Sequence, residues 1–333
     1  MILPAKDKGG MWMGKKDTIT KAYMSEPRYF ADAFNYFLFE GKQVIREESL
    51  SQIDPTEIGI ILDDDNKELV QKVRDILKQG VVMEDGNCSY LMLGIENQSD
   101  IHYALPVKNM IYDALNYGNQ VSQKSKEHKV KKDINGDEFL SGFAKEDRIK
   151  PIITLVVYFG SKNWDAPRSL KEMFEITNEN ILRFVSDYKL NLIIPNEIGD
   201  FTKFKTDFGK AMKYISVAEQ KELLYEISSK EEYQIVDKET VKLLKECVGM
   251  KVKFEKEEKQ VDMCKGLRDL IEEGREEGRE EGREELLKGY VTTLRELGQT
   301  DSFIIRKIVE KFSIPEKSAM KYVTKSVDNF EQV

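Results

Sequence analysis

Residues 73–98 read VRDILKQGVVMEDGNCSYLMLGIENQ, two apolar runs joined by Asp85-Gly86. An Asp-Gly pair between such runs is the favoured two-residue hairpin turn, because its backbone twist matches that of the flanking strands. A two-residue turn sets the register. Glu84 faces Asn87, and every facing pair then has residue numbers that sum to 171, which brings Asp75 opposite Glu96. With no bulge their Cβ atoms stand about 4.5–5.5 Å apart. Like charges so placed destabilise a sheet, and burying an unpaired carboxylate is costly. Something must hold the pair: a cation, a structural partner or a substrate.

Side chains alternate along a strand, so Gln98 projects from the same face as Glu96, and Gly94, two residues earlier, leaves room for a substrate backbone. Two carboxylates with water as the remaining ligands suit Mg2+ or Mn2+, hard ions that favour oxygen. Such a site polarises a phosphodiester and activates water for in-line attack. Gln98 can orient that water through its amide but brings no positive charge. The alternative is structural: Asp75 and Glu96 are exposed hairpin ends, or they pair with Lys78 or Lys108.

Other chemistries have little to draw on. His102 and His128 are the only histidines, and Cys88, Cys247 and Cys264 form no CxxC pair, which argues against a His-rich zinc site and a disulfide framework and fits a reduced cytoplasm. The net charge of -8 argues against general charge-driven nucleic-acid binding and leaves a local basic groove open. No apolar run approaches the ~18 residues that span a bilayer, and MILPAKDKGGMWMGKK has no apolar core of a secretory signal.

Along the chain, residues 1–16 read as a flexible leader. A helical pattern starts at Asp17, breaks at Pro27 and resumes over Arg28–Phe39, with Phe30, Phe34, Phe37 and Leu38 on one face and Gly41 as the stop. Glu57–Leu62 reads as a strand closed by the acidic turn Asp63–Asn66, and the hairpin follows. Pro106 opens a helix predicted to run to about 124, with Met110, Ala114 and Tyr117 on one side. Residues 125–148 are charged and irregular and read as a loop or lid. Pro151–Phe159 is β-branched and apolar throughout, the pattern of a strand covered on both faces. Helices and a short strand, Leu190–Ile194, fill 170–230. The order helix, three strands, helix, strand predicts a mixed α/β layer.

Beyond 230 the chain turns helical and charged. EEGR recurs three times over residues 272–283. Glu–Arg pairs support a helix while each Gly weakens it by about 0.8–1.0 kcal/mol relative to Ala. The repeat is either a solvated connector or a helix–helix contact in which the glycine line admits another backbone, as in a homo-oligomer. In residues 286–333, Phe303, Ile304, Ile308 and Phe312 suit one helix, Ser313–Glu316 a turn, and Lys317, Lys321 and Lys325 one line on a second helix. That outline is helix-turn-helix-like. Its lysines are either phosphate contacts or a wet face.

Phe30–Asn35, Arg74–Lys78, Gly94–Gln98 with His102–Pro106, Met110–Leu115, Pro151–Gly160 and the EEGR repeats together resemble the recombination-promoting nuclease/putative transposase (Rpn-like) family of the PD-(D/E)xK superfamily, over about residues 17–285. The resemblance implies a restriction-endonuclease-like αβββαβ core, a mixed sheet flanked by helices, with a helical C-terminal extension. It implies Mg2+-dependent DNA endonuclease activity, with Asp75 and Glu96 as metal ligands and Gln98 in the position where the superfamily usually has Lys. Asp32 is then a further acidic ligand or a helix-surface carboxylate. His102 and Tyr103 either touch substrate or pack, packing being the expectation for Tyr103, and Asp113 and Tyr117, one turn apart, face the site. The domains expected are a leader (1–16), a nuclease domain (17–230), a charged connector (231–285) and a small helical module (286–333). The alternative is a non-cleaving DNA-binding or interaction protein that keeps the fold, and RNA cleavage would use the same residues.

Overall fold

Pro27 divides the first helical stretch as its sequence predicts: α1 is Lys15–Ser25 and α2 is Pro27–Phe39. At the first helical position proline gives up only an N–H that has no helical partner. In this computed structural model the described residues are 14–53, 56–62, 67–73, 75–84, 87–250, 252 and 258–325. Most of the expected leader lies outside them, and Lys15 and Lys16 belong to α1. After α2 the chain reverses through Glu40 and Gly41, both at positive φ, and a Cβ at Gly41 would lie 2.5 Å from the Lys203 carbonyl oxygen. Only glycine fits there.

A two-residue strand, β1 (Ser51–Gln52), precedes β2 (Thr56–Leu62) and β3 (Lys67–Val73). Here the structure corrects the sequence reading. The predicted strand at 57–62 is not in the main sheet. Its ladder goes entirely to β3, in a separate two-stranded hairpin. Closing a short local loop costs little entropy, and the excursion leaves β1 to pair with β4. The turn at Asp63–Asn66 lies outside the described residues.

β4 (Ile76–Glu84) and β5 (Asn87–Gln98) form the long hairpin, in the register its two-residue turn predicts, from Glu84 opposite Asn87 to Ile76 opposite Ile95. Asp85 and Gly86 themselves are outside the described residues. α3 (Leu105–Lys131) then crosses to β6 (Ile152–Tyr158), which pairs parallel to β5. α3 outruns its predicted end. Residues 125–131 contain no Gly or Pro, and their charge is the wet face of an amphipathic helix, which stops at Lys132 with φ 55°. The rest of the expected loop contains a further short helix, α4 (Gly136–Ser141). His128 at the end of α3 is held by Asp133 at Nδ1 (2.6 Å) and by Asp147 at Nε2 (2.8 Å).

After the one-turn α5 (Glu179–Leu182), β7 (Asn191–Ile193) completes a mixed five-stranded sheet in the order β1-β4-β5-β6-β7. α6 (Asp207–Ser216), α7 (Lys221–Ser228), the strand β8 (Val236–Asp237) and α8 (Lys238–Val248) follow, with β9 (Gln260–Val261) paired to β8. One sheet face, through Leu93, Ile95, Leu155 and Val157, packs into a core with Tyr29, Phe30, Phe34, Phe208, Met212 and Leu244. The other face lies under α3: Leu77, Met92 and Ile152 pack near Tyr117, and Val156 and Tyr158 pack with Leu105 and Trp164. The sheet is therefore covered on both sides, and β6 is buried on both faces as expected.

The compact unit runs to Cys264, past the boundary drawn at 230. Tyr233, Val236, Val241 and Leu244 belong to the same core, and Tyr23 meets Thr240 through their hydroxyls at 2.9 Å. The charged residues of α8 are partly exposed, while its Thr240, Val241, Leu243 and Leu244 are buried. The second unit, Lys265–Val333, contains most of α9 (Met263–Glu296) with α10 (Asp301–Phe312) and α11 (Glu316–Lys325). Leu287, Val291, Ile304, Ile308, Ala319 and Val323 form its small core. A Cβ at Gly278 or Gly282 of the EEGR repeats would stand in open space, and Lys317 and Lys321 are exposed.

Candidate active site

Asp75 and Glu96 lie at the end of the β4–β5 ladder, on the face that α3 covers. The ladder direction places them opposite each other, and the two carboxyls differ in exposure. The Asp75 side chain keeps 25 % of its surface, whereas Glu96 keeps 4 %. Asp75 Oδ2 accepts the Asn97 backbone N–H at 2.9 Å, and Lys21 Nζ of α1 stands 3.9 Å from Oδ1. Burial, followed by the neighbouring Glu96 charge, pushes the Asp75 pKa up to about 7, against the pull of that N–H and of Lys21 and Lys108. A carboxyl held there is poised between neutral and charged at ordinary pH.

Glu96 Oε1 is paired with the Lys108 ammonium of α3, while Oε2 is buried with no hydrogen-bond partner among the described residues. Of the structural alternatives, exposure of Glu96 is thus excluded, and Lys108 does pair with it. Lys78 does not; it points to the other face, where Nζ donates to the Ser25 carbonyl at 2.7 Å over the Phe30 ring. Gln98, also buried, lies one step beyond Glu96 on the same strand face. Among the described residues no group of three His, Cys, Asp or Glu side chains gathers to hold a metal. Two carboxylates are nevertheless a sufficient protein donor set for Mg2+, which keeps several waters. The unpartnered Oε2 beside a second carboxyl is the observation that fits a cation.

The other predicted residues separate. Asp32, only 1 % exposed, is neither a surface carboxylate nor a ligand of this site. Its oxygens accept N–H groups of Lys205 (2.9 Å) and Thr206 (2.9 Å) and the Thr206 hydroxyl (2.6 Å), clamping the start of α6 to α2. Asp113 accepts the Thr154 hydroxyl at 2.7 Å and the Tyr188 hydroxyl at 2.6 Å, and the Tyr117 oxygen accepts the Ile152 N–H at 3.1 Å. Both therefore tie α3 to β6 and its surroundings rather than turning to the carboxylate pair. His102 is exposed in the turn before α3, and partial burial of its ring and then the Lys108 charge lower its pKa. Tyr103 does not pack as expected: it is 58 % exposed, and its hydroxyl donates to Asp165 at 3.0 Å. Lys317 and Lys321 lie on α11 of the second unit, as does Lys325.

The sequence reading gave no role to Lys21 and weighed Lys108 only as a structural partner. Lys108 has a legible signal, being a cation two residues beyond the Pro106 that starts α3. That it reaches back to Glu96 depends on how α3 crosses the sheet.

Neither a curated protein nor a solved structure matches the chain. A family model described as "Putative transposase, YhgA-like" matches residues 15–262, which spans α1 to β9 and includes Asp75, Glu96, Gln98 and Lys108. The match covers most of the chain and coincides with its first compact unit; the protein belongs to the YhgA-like transposase family, the one its motifs resemble.

Proposed function

We propose that this chain is a metal-dependent DNA endonuclease that hydrolyses phosphodiester bonds at Asp75, Glu96 and Gln98, with a PD-(D/E)xK-like core formed by α2, β1, β4, β5, α3 and β6. The observation that carries this reading is the buried, unpartnered Glu96 Oε2 facing a second carboxyl. Asp75 and Glu96 would hold Mg2+ or Mn2+, and the ion when bound supplies Lewis acidity at the phosphate and a more acidic water. The chain's own groups do the rest. The Asn97 N–H and Lys21 orient Asp75 and favour its charged form. Lys108 supplies beside Glu96 the positive charge that Gln98 lacks, and is placed to meet the charge developing on a phosphate. Gln98 offers an amide on the same face to orient water. The exposed lysines of α11, in the second unit, add DNA contacts.

The test is incubation with supercoiled plasmid in Mg2+ and then Mn2+, with EDTA and Asp75→Asn controls. Nicked or linear product that requires both the metal and Asp75 is expected. Equal cutting by Asp75→Asn refutes the assignment. One observation favours a second reading, a non-cleaving DNA-binding protein of the same fold: the Glu96–Lys108 pair already neutralises one carboxylate. Intact plasmid with a folded protein that still binds DNA supports that reading.

A further inference from the structure

The face of the sheet that carries the carboxylates continues into a cavity of about 550 Å3 between α3, β4 and the segment before β6. Leu77 and Met92 form its floor, and Ile53 and Ile149 add apolar surface. Asp75, Leu77 and Gln79 alternate onto one face of β4, as Glu96, Gly94 and Met92 do on β5, so the cavity begins one rung from the carboxylate pair. At ~3.4 Å per residue, Leu77 lies roughly 7 Å from Asp75 and Met92 roughly 14 Å from Glu96. Gly94, in the rung between, contributes no side chain, so no residue of β5 walls the cavity off from the site.

Its walls are mainly carboxamides and cations. Asn119 and Gln123, one turn apart on α3, present carboxamides, and Lys124, Arg148 and Lys150 bring cations against the single carboxylate of Glu127. Gln120 is used internally: its amide donates to the Lys150 carbonyl at 3.1 Å, and its oxygen accepts the Lys150 N–H at 2.7 Å. That exchange fixes the cationic segment to α3. Carboxamides pair with base edges, cations with phosphates, and an apolar floor with a base face.

We infer that this cavity holds unpaired nucleotides of the strand whose phosphodiester lies at Asp75 and Glu96, so that the substrate is single-stranded, or locally unpaired, beside the scissile phosphate. The inference rests on the proposed nuclease reading for where the strand is cut. The volume decides the class: about 550 Å3 falls in the range of small-molecule pockets, roughly 300–1,000 Å3, enough for one or two nucleotides and not for a duplex.

The test is fluorescence anisotropy with the full chain in EDTA, using a labelled 20-nucleotide single strand and its duplex over a salt series. Tighter binding of the single strand is expected. Lys124→Ala/Lys150→Ala should weaken that binding by on the order of tenfold and reduce the salt slope by about 1.4, or 0.7 per phosphate contact. Lys124→Glu, a single change at a half-buried position whose surface pair with Glu127 contributes little, should weaken it with the melting temperature nearly unchanged, and duplex binding should change less. Equal affinity of wild type and both variants for the single strand, or a wild type that prefers duplex or binds neither, overturns the inference. Plasmid cleavage is scored separately. Strand binding through these lysines without metal-dependent cleavage removes the nuclease reading alone, and cleavage with unaltered strand binding removes the groove alone.

Discussion

Asp75→Asn isolates the electrostatics of the site. Burial and the Glu96 charge raise the Asp75 pKa from 3.8 to about 7, so in the absence of a cation the fold disfavours its charge. An acid whose folded value is raised stabilises most below its unfolded value. That contribution is whole below pH 3.8, shrinks as pH rises and is gone above about 7. At ~1.36 kcal/mol per pH unit the full cost of ionisation is on the order of 4 kcal/mol, and solvent reaching a quarter of the side chain reduces it to about 2 kcal/mol. A carboxamide removes the charge and keeps an oxygen for the Asn97 N–H. In EDTA at pH 8 the variant should melt higher by on the order of 5 °C, because ~1 kcal/mol moves a domain of this size by about 2–4 °C. The gain should fade towards pH 4. Differential scanning calorimetry at pH 8, 6 and 4 makes the measurement. A variant that melts lower at pH 8 would show Asp75 to be a structural partner of Lys21 and Asn97, and the idea of a strained carboxylate pair would fail.

The same physics predicts that Mg2+ raises the melting temperature more at pH 8 than at pH 6, since the ion requires Asp75 charged, and that Glu96→Gln removes the rise. His128 donates to two carboxylates only when protonated. Its pKa is raised by hydrogen bonds to Asp133 and then Asp147, so the latch is whole below about 6.5 and lost as pH rises through the higher folded value; His128→Gln should lower stability at pH 6 and much less at pH 9. Asp32→Ala strands the Lys205 and Thr206 N–H groups and should cost about 2–4 kcal/mol in urea unfolding, with no effect on the Mg2+ shift, whereas a lost shift in a folded variant would return Asp32 to the metal site. Lys317→Ala/Lys321→Ala should lower the salt slope of duplex binding by about 2, and an unchanged slope would make those lysines a wet face.

Local rules were enough for several features. Pro27 and Gly41 mark the ends of α2 because proline and glycine act through their own φ. Reading Asp85-Gly86 as a two-residue turn predicts one β4–β5 pairing without reference to the rest of the fold; the ladder has that register, which brings Asp75 opposite Glu96. The apolar run at 152–158 announced a strand buried on both faces. Partner choice was not legible. Thr56–Leu62 is as good a strand as any, but whether it joins the main sheet depends on a competing neighbour, Lys67–Val73, whose alternation of charge concealed it. Asp32 read equally as a ligand or a surface carboxylate and is a clamp, because Lys205 and Thr206 ahead of α6, over 170 residues on, supply the N–H groups that satisfy it. Lys108 is one of several lysines in the sequence and becomes the partner of Glu96 only when α3 lies across β5. The sequence by itself determined the pair of facing carboxylates, since strand register is a short-range property. The tertiary structure decided how deeply each is buried, which cations answer them and what cavity adjoins them, since these depend on packing between segments far apart in the chain.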